Sequence, residues 1–209
     1  MQDLPHIEQL HTSVFKRFLN VSLHSFNTIL YGETGRYPLY INHKLKCIKY
    51  WFQLLHMSNE RLPLQAYKML ERLSESGTRT WVSDVRDTLC ANGFGYVWLF
   101  RNVGDVDNFC IVFKERLIDN FKQNWYQRVS SNSHLEFYSS FKSMIITESF
   151  LFNNVFQRHI RNSLVRFRFG VSDILCHRLK FSKTSLNQTL CPLCHNEREN
   201  EFHVVFICT

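Results

Sequence analysis

The stretch VDNFCIVFKERLIDNFKQNW, residues 106–125, places Val106, Phe109, Phe113, Leu117, Phe121 and Trp125 three or four positions apart. An apolar side chain at that interval falls on one face of a helix with 3.6 residues per turn, so the segment predicts a long amphipathic helix. The same period recurs on both sides of it. Toward the N-terminus, Trp81, Val82, Val85 and Leu89 form a shorter stripe, with Thr80 placed to cap it and Gly93 just past its end. Leu62 to Leu73 predicts another helix, and Ser74 to Thr80 a polar linker. Ile41, Leu45, Ile48, Phe52 and Leu55 mark a long helix, and Ile7, Leu10, Val14 and Phe18 a first one with Lys16 and Arg17 facing away from the stripe. Between these two, Tyr31-Gly32-Glu33-Thr34-Gly35-Arg36-Tyr37-Pro38 carries two glycines and a proline and is read as a turn or loop.

Toward the C-terminus, Ser133 and Glu136 fit a capping box opening a helix that buries Leu135, Tyr138 and Phe141. A further helix carries Phe152, Phe156, Ile160, Leu164 and Phe167 and ends at Gly170. Ser172 can cap a last short helix through Leu179, and Lys183 to Leu190 is a polar tether. Residues 94–100, FGYVWLF, fit either a short strand or a buried connection, because so short an apolar run has no decisive period. The expected fold class is therefore mostly α, a multi-helix domain followed by a small C-terminal CCHC zinc knuckle.

The knuckle is read from Cys191, Cys194, His203 and Cys208, a C-x2-C-x8-H-x4-C array. Three sulfurs and an imidazole suit a tetrahedral soft-ligand ion, Zn2+ before others, and a closed four-ligand shell is structural because no position is left for water. Cys191-Pro192-Leu193-Cys194 can turn both sulfurs to one point, and Asn200 can cap a short helix carrying His203 toward it. His195 follows Cys194 directly and is a poor alternative ligand. Seven cysteines in all leave Cys47, Cys90, Cys110 and Cys176 as small core residues of a reducing compartment.

A chain of 209 residues with 44% hydrophobic content and 19 Phe can pack a sizeable core, and 7 Gly with 4 Pro argue against disorder. No long apolar run or charged-then-apolar leader is visible, so no membrane contact is expected and an intracellular site, nuclear or cytoplasmic, is. The net charge is +7. Its excess gathers in Arg158, Arg161, Arg166, Arg168, Arg178, Lys180 and Lys183, against the single acid Asp173. Beside a zinc knuckle, such a block is the electrostatic pattern that suits phosphate backbones, although most charge runs are simply solvated faces. On the other face of the Ile41–Leu55 helix, Lys44, Lys46 and Lys49 interleave with Tyr50 and Trp51, a mixture able to hold phosphates and stack bases, although aromatics at such spacing are more often core or rim.

The chemistry-bearing motifs of hydrolases, nucleotide-binding enzymes and metalloproteases are absent. No two aspartates are adjacent, which removes the usual pair for two-metal nucleotidyl transfer. The histidines of the helical segments have no nucleophile at a useful spacing, and no catalytic residue is assigned.

Taken in order, these stretches resemble a known region of transposable-element proteins. The matching residues are the Ile7–Val21 helix, Tyr31-Gly32-Glu33-Thr34-Gly35-Arg36-Tyr37-Pro38-Leu39, Ile48-Lys49-Tyr50-Trp51 and Asn92-Gly93-Phe94-Gly95-Tyr96-Val97-Trp98. They continue through Arg166-Phe167-Arg168-Phe169-Gly170-Val171-Ser172-Asp173, Cys191-Pro192-Leu193-Cys194, Glu199-Asn200-Glu201-Phe202-His203 and Cys208. The chain is similar to the segment downstream of the polymerase core in metazoan non-LTR (LINE-type) retrotransposon reverse transcriptases. That resemblance implies a thumb-like helix and turn over 1–38, a helical extension over 39–183 and a CCHC zinc-binding module over 184–209. It also implies RNA or DNA as partner, together with the polymerase core of a retroelement protein. The family's activity needs palm aspartates that this sequence lacks, so only accessory roles carry over: gripping template–primer or element RNA. The competing expectation is a structural or protein-interaction module in which zinc closes a small core. In either case Cys194→Ser is expected to unfold the tail beyond about Leu190 while the helical body stays folded.

Overall fold

A computed structural model of the chain describes residues 5–152, 156–179 and 190–208. Eleven α-helices are present among these residues: α1 Pro5–Phe18, α2 Asn27–Thr34, α3 Leu39–Leu55, α4 Leu62–Glu75, α5 Trp81–Ala91 and α6 Gly95–Phe100, then α7 Val106–Ser131, α8 Glu136–Phe141, α9 Ser149–Phe152, α10 Arg158–Arg168 and α11 Leu175–Leu179. The described residues hold no strand, only the isolated bridges Thr34–Thr147 and Leu190–Arg198. The mostly α expectation therefore holds. Residues 94–100 resolve as neither strand nor connection: they form α6, whose Val97 is fully buried.

Two compact units divide the chain, and they do not follow its order. The first comprises the described residues up to Glu8 and Tyr37–Lys122; the second comprises Gln9–Arg36 and the chain from Gln123.

In the first unit, the stripes read from the sequence are the core. Ile41, Ile48 and Phe52 of α3, Val82, Val85 and Leu89 of α5, and Phe109, Phe113 and Leu117 of α7 are all buried in one cluster. Trp51 follows the core alternative and not the base-stacking one. It is 0% exposed, stacks on Trp98 with centroids 5.5 Å apart, and donates its indole N–H to the Tyr67 hydroxyl at 3.3 Å. A residue with that packing cannot serve as an outward base-stacking platform; it is core. Helix α5 opens with the Thr80 N–H donating to Ser83 Oγ at 3.1 Å, which satisfies a donor otherwise left open at a helix start.

In the second unit, the first half of the glycine-bearing segment 31–38, residues 31–34, is helix. Helix α2 runs through Gly32 to Thr34, and only at Gly35, with φ 64°, does the chain turn. Gly32 is helical because something must pass close to it: a Cβ there would lie 2.3 Å from the Tyr138 hydroxyl and 2.9 Å from the Trp125 ring. Trp125 in turn donates to the Thr28 carbonyl at 2.7 Å, fixing its ring over the helix. Gly32→Ala is therefore expected to destabilise this unit by about 1–3 kcal/mol through overpacking. Urea denaturation followed by far-UV circular dichroism would read it.

Glu33, one residue on, is 1% exposed and faces the Arg168 guanidinium. Arg168 Nε donates to Glu33 Oε2 at 2.7 Å and Nη2 to Oε1 at 2.8 Å, a two-pronged bond. Its Nη2 also lies 3.3 Å from Glu148, and its guanidinium sits 4.5 Å over the Phe141 ring. Lys142, also buried, donates to Glu148 and to the Ile146 carbonyl. Buried charges survive only when paired and hydrogen-bonded in this way. Burial lowers the pKa of the Arg168 guanidinium, but its bonds to Glu33 outweigh that and raise it. The phenol of Tyr138 is pushed far above its ordinary value by burial and then by the Glu33 charge.

Three expectations about this unit are corrected. The α1 stripe of Leu10, Val14 and Phe18 is exposed, Leu10 and Phe18 each 67%, whereas Thr12 and Lys16 are the buried residues of that helix. Lys16 tolerates this because its ammonium donates to the Leu23 carbonyl at 2.9 Å. Hydrophobic spacing marks a stripe and says nothing of what covers it. The cap before α8 is Asn132, whose side chain accepts the His134 N–H at 3.0 Å, and a 3-10 turn at Ser133–Leu135 precedes the helix. In α10 the buried face is Val165, followed by Phe169 just past its end, while Phe156 and Ile160 stay exposed.

Candidate metal centre

One ligand atom from each of Cys191, Cys194, His203 and Cys208 lies within 4.8 Å of all the others. Cys191 Sγ is 3.6 Å from Cys208 Sγ, and Cys194 Sγ is 3.3 Å from His203 Nε2. A zinc tetrahedron with bonds of about 2.3 Å to sulfur and 2.0 Å to nitrogen has edges of roughly 3.5 to 3.8 Å, so these two separations are compatible with such an ion and the four atoms lie close enough to hold one. Cys191 and His203 are buried, and all three cysteines are free thiols.

The local chain explains how four ligands converge. Past Cys194, His195 takes φ 55°, and its N–H donates back to the Cys191 carbonyl at 2.9 Å, closing the knuckle. Cys191 N–H donates to the Glu197 carbonyl at 2.8 Å, tying the two arms together. Asn200 caps the next turn, its side-chain oxygen accepting the His203 N–H at 2.7 Å. That turn, His203–Ile207, is π-helical, and Cys208 N–H closes onto the His203 carbonyl at 2.8 Å. Residues five apart on a regular α-helix diverge by about 140°. The wider i→i+5 turn brings Cys208 back to the side of His203, which accounts for the four-residue gap between them. His195 is exposed and stands outside the quartet.

The electrostatics suit cation binding. The Cys191 thiol is drawn down to about 6, first by the Cys194 N–H directed at its sulfur. Cys194 also lies below the usual thiol range, its sulfur facing the Asn196 N–H. Hydrogen bonding to Cys191 pushes Cys208 up to about 11 and raises His203. Backbone amides aimed at sulfur are the ordinary means of holding thiolates for a metal. His203 Nδ1, buried and without a hydrogen bond, lies 3.4 Å from Glu197 Oε2. A carboxylate behind the far nitrogen of a ligating histidine orients the ring.

Two further carboxylates between the ligands reach the helical body of the same unit. The buried Glu199 accepts the Leu175 N–H at the start of α11. Glu201 Oε1 accepts from His177 Nε2 at 2.9 Å. The backbone N–H of Ser172 donates to His177 Nδ1 at 3.3 Å, so that nitrogen is the acceptor, and the Ser172 hydroxyl lies on it at 2.7 Å. Ser172, His177 and Glu201 thus form a hydrogen-bonded chain. The His177 side chain is 1% exposed; its Nε2 holds the module to α11 through Glu201, and its Nδ1 is fixed by Ser172. This arrangement is a latch, and spacing alone gave no sign of it because its halves lie 24 residues apart.

The basic residues read as nucleic-acid contacts separate into distinct environments. Arg158 and Arg178 are exposed. Arg161 is half-buried, donating to the Leu151 carbonyl at 3.4 Å, and Arg166 donates to the Val171 carbonyl at 3.3 Å and to Asp173 at 3.2 Å. Arg168 is turned inward to Glu33, so its charge is neutralised inside the fold. Lys180 and Lys183 lie outside the described residues. Lys46 and Lys49 are exposed on α3 in the other unit, Lys49 paired with Asp107 at 3.2 Å, and the half-buried Lys44 lies 4.8 Å over the Tyr40 ring. Of the remaining cysteines, Cys110 is buried as expected, but Cys90 is exposed.

No protein-family model, curated protein or solved structure matches the chain. The site's own geometry is thus the basis for a functional reading. No helix among the described residues is long and apolar enough to cross a membrane.

Proposed function

We propose that this chain is a nucleic-acid-binding accessory fragment of a LINE-type reverse transcriptase, holding RNA or a template–primer on its arginine-bearing helix and carrying one structural Zn2+ in a CCHC knuckle. The reading is supported above all by the four-ligand cluster. Its donor set and 3.3–3.6 Å spacings suit zinc, and four protein ligands leave no position for a substrate or water. When bound, the ion cross-links the two arms of a segment too small to fold on apolar burial alone. The knuckle sits in the same unit as α10, a helix with four arginines and no acid. Arginine forks on one helix suit phosphate oxygens without reading sequence.

Charge reversal at the exposed Arg158 and Arg178 and the half-buried Arg161, the members that pair with no acidic side chain among the described residues, tests this. Arg158→Glu, Arg161→Glu and Arg178→Glu together are expected to weaken binding of a short single-stranded RNA by at least tenfold. The salt slope should fall by about 0.7 for each phosphate no longer neutralised. The circular dichroism spectrum should stay unchanged. Arg168 is left out of that set, because its removal attacks the fold.

A second reading is favoured by one observation: Arg168 is engaged inside the protein by Glu33, and Arg166 is paired at the surface with Asp173. On that reading the module serves a protein partner, and the triple variant binds RNA as the parent does.

A further inference from the structure

A groove of about 460 Å³ opens in the first unit between α3, α4 and the start of α5. It is lined by the apolar Leu54, Pro63, Ala66 and Leu70 and by the rings of Tyr50 and Trp81, which pack against each other with centroids 6.0 Å apart and planes tilted by 59°. Tyr50 is 44% exposed, so its ring meets solvent at the rim. Among the described residues, the charged side chain lining the groove is Lys46, exposed on α3. An apolar lining with a ring that meets solvent at the rim and a cation beside it suits a planar, apolar-faced group attached to an anion.

We propose that this groove takes one unpaired nucleobase of a single-stranded nucleic acid, with the adjoining phosphate against Lys46. Every base presents a flat π-face that stacks on tyrosine or tryptophan without regard to sequence, and the phosphodiester supplies the negative charge that Lys46 complements. A base held in a duplex cannot enter, so the groove selects single strands. The proposal rests on the nucleic-acid reading and adds to it a second point of attachment, on a different unit from the arginines of α10. It also gives the alternation of lysine and aromatic residues on α3 a definite form: Tyr50 and Lys46 line the groove, while Trp51 is core.

The test uses the full zinc-loaded chain and two labelled oligomers of equal charge, a ten-residue oligouridylate and the same backbone with abasic central positions. The base-bearing oligomer is expected to bind about tenfold more tightly, the scale of one stacked base, and to quench tryptophan emission. Tyr50→Leu should bring the two within about twofold of each other, and Lys46→Gln should reduce the salt slope by about 0.7 with the base preference kept. Equal binding of both oligomers by the parent chain overturns the groove proposal and leaves a phosphate-only interface standing. Failure of both oligomers to bind at low salt removes the nucleic-acid reading and this proposal with it. Quenching by a short acidic peptide bearing one phenylalanine, with no base preference among oligomers, reassigns the groove to a protein partner.

Discussion

Arg168→Ala is expected to destabilise the second unit by about 3–5 kcal/mol. The reason is what it leaves behind. Glu33 is 1% exposed, and both its carboxylate oxygens accept from the Arg168 guanidinium. Without that partner a carboxylate is stranded in the interior, and Glu148 loses a neighbour at 3.3 Å as well. Glu33→Ala should cost a similar amount by stranding the arginine. Replacing both, as Glu33→Leu with Arg168→Met, should recover much of the loss, since a buried pair exchanged for apolar groups of like volume is often close to neutral. Urea midpoints for the parent, the two alanine variants and the Glu33→Ala/Arg168→Ala double variant provide the cycle, with the Leu/Met pair as the test of recovery. Additive losses in the double variant would show that the two residues act independently and that the pair is not the link.

Cys194→Ser is expected to abolish tight metal binding and to melt more than the knuckle. Structural zinc contributes on the order of 10 kcal/mol to modules of this kind, so residues 190–208 should lose their fold. Taken alone, the sequence suggests that the damage stops at the tether. The latch carries it further, because Glu199 and Glu201 hold Leu175 and His177 of α11. With the module released, a five-residue helix has too few internal bonds to persist. Hydrogen exchange read by mass spectrometry should show protection lost over 175–179 and 190–208, with 41–117 unchanged. Chelation of the parent chain should reproduce the pattern. Loss of protection confined to 190–208 would show that the latch does not couple the two, and loss throughout the chain would contradict the separate core of the first unit.

What was legible beforehand was whatever local period and spacing specify. The stripes of α3, α5 and α7 are core because helical geometry brings every third or fourth side chain to one face. The Cys191, Cys194, His203 and Cys208 set was readable because metal ligation demands particular residue types at short separation. Long-range pairing was not readable. Nothing in the composition of segment 31–38 says that Glu33 will meet Arg168, 135 residues on, or that Gly32 makes room for Tyr138. An arginine in a basic run looks the same whether it faces phosphate or an internal carboxylate. The α1 stripe shows the complementary limit: Leu10, Val14 and Phe18 have the spacing of a core face, yet they are exposed while Lys16 is inside. The π-turn before Cys208 was likewise hidden, since spacing by five fits no regular helical face until the metal ligands require it.

Fluorescence anisotropy of a labelled single-stranded RNA titrated with the zinc-loaded chain, at low and at physiological salt, tests the proposed function most directly. Tight binding at low salt, falling with a log–log slope of about −0.7 per neutralised phosphate, is the result expected of a phosphate-dominated interface. Binding that does not change between the two salt concentrations, or no binding at low salt, would contradict it and leave the metal centre as the scaffold of a protein-interaction module.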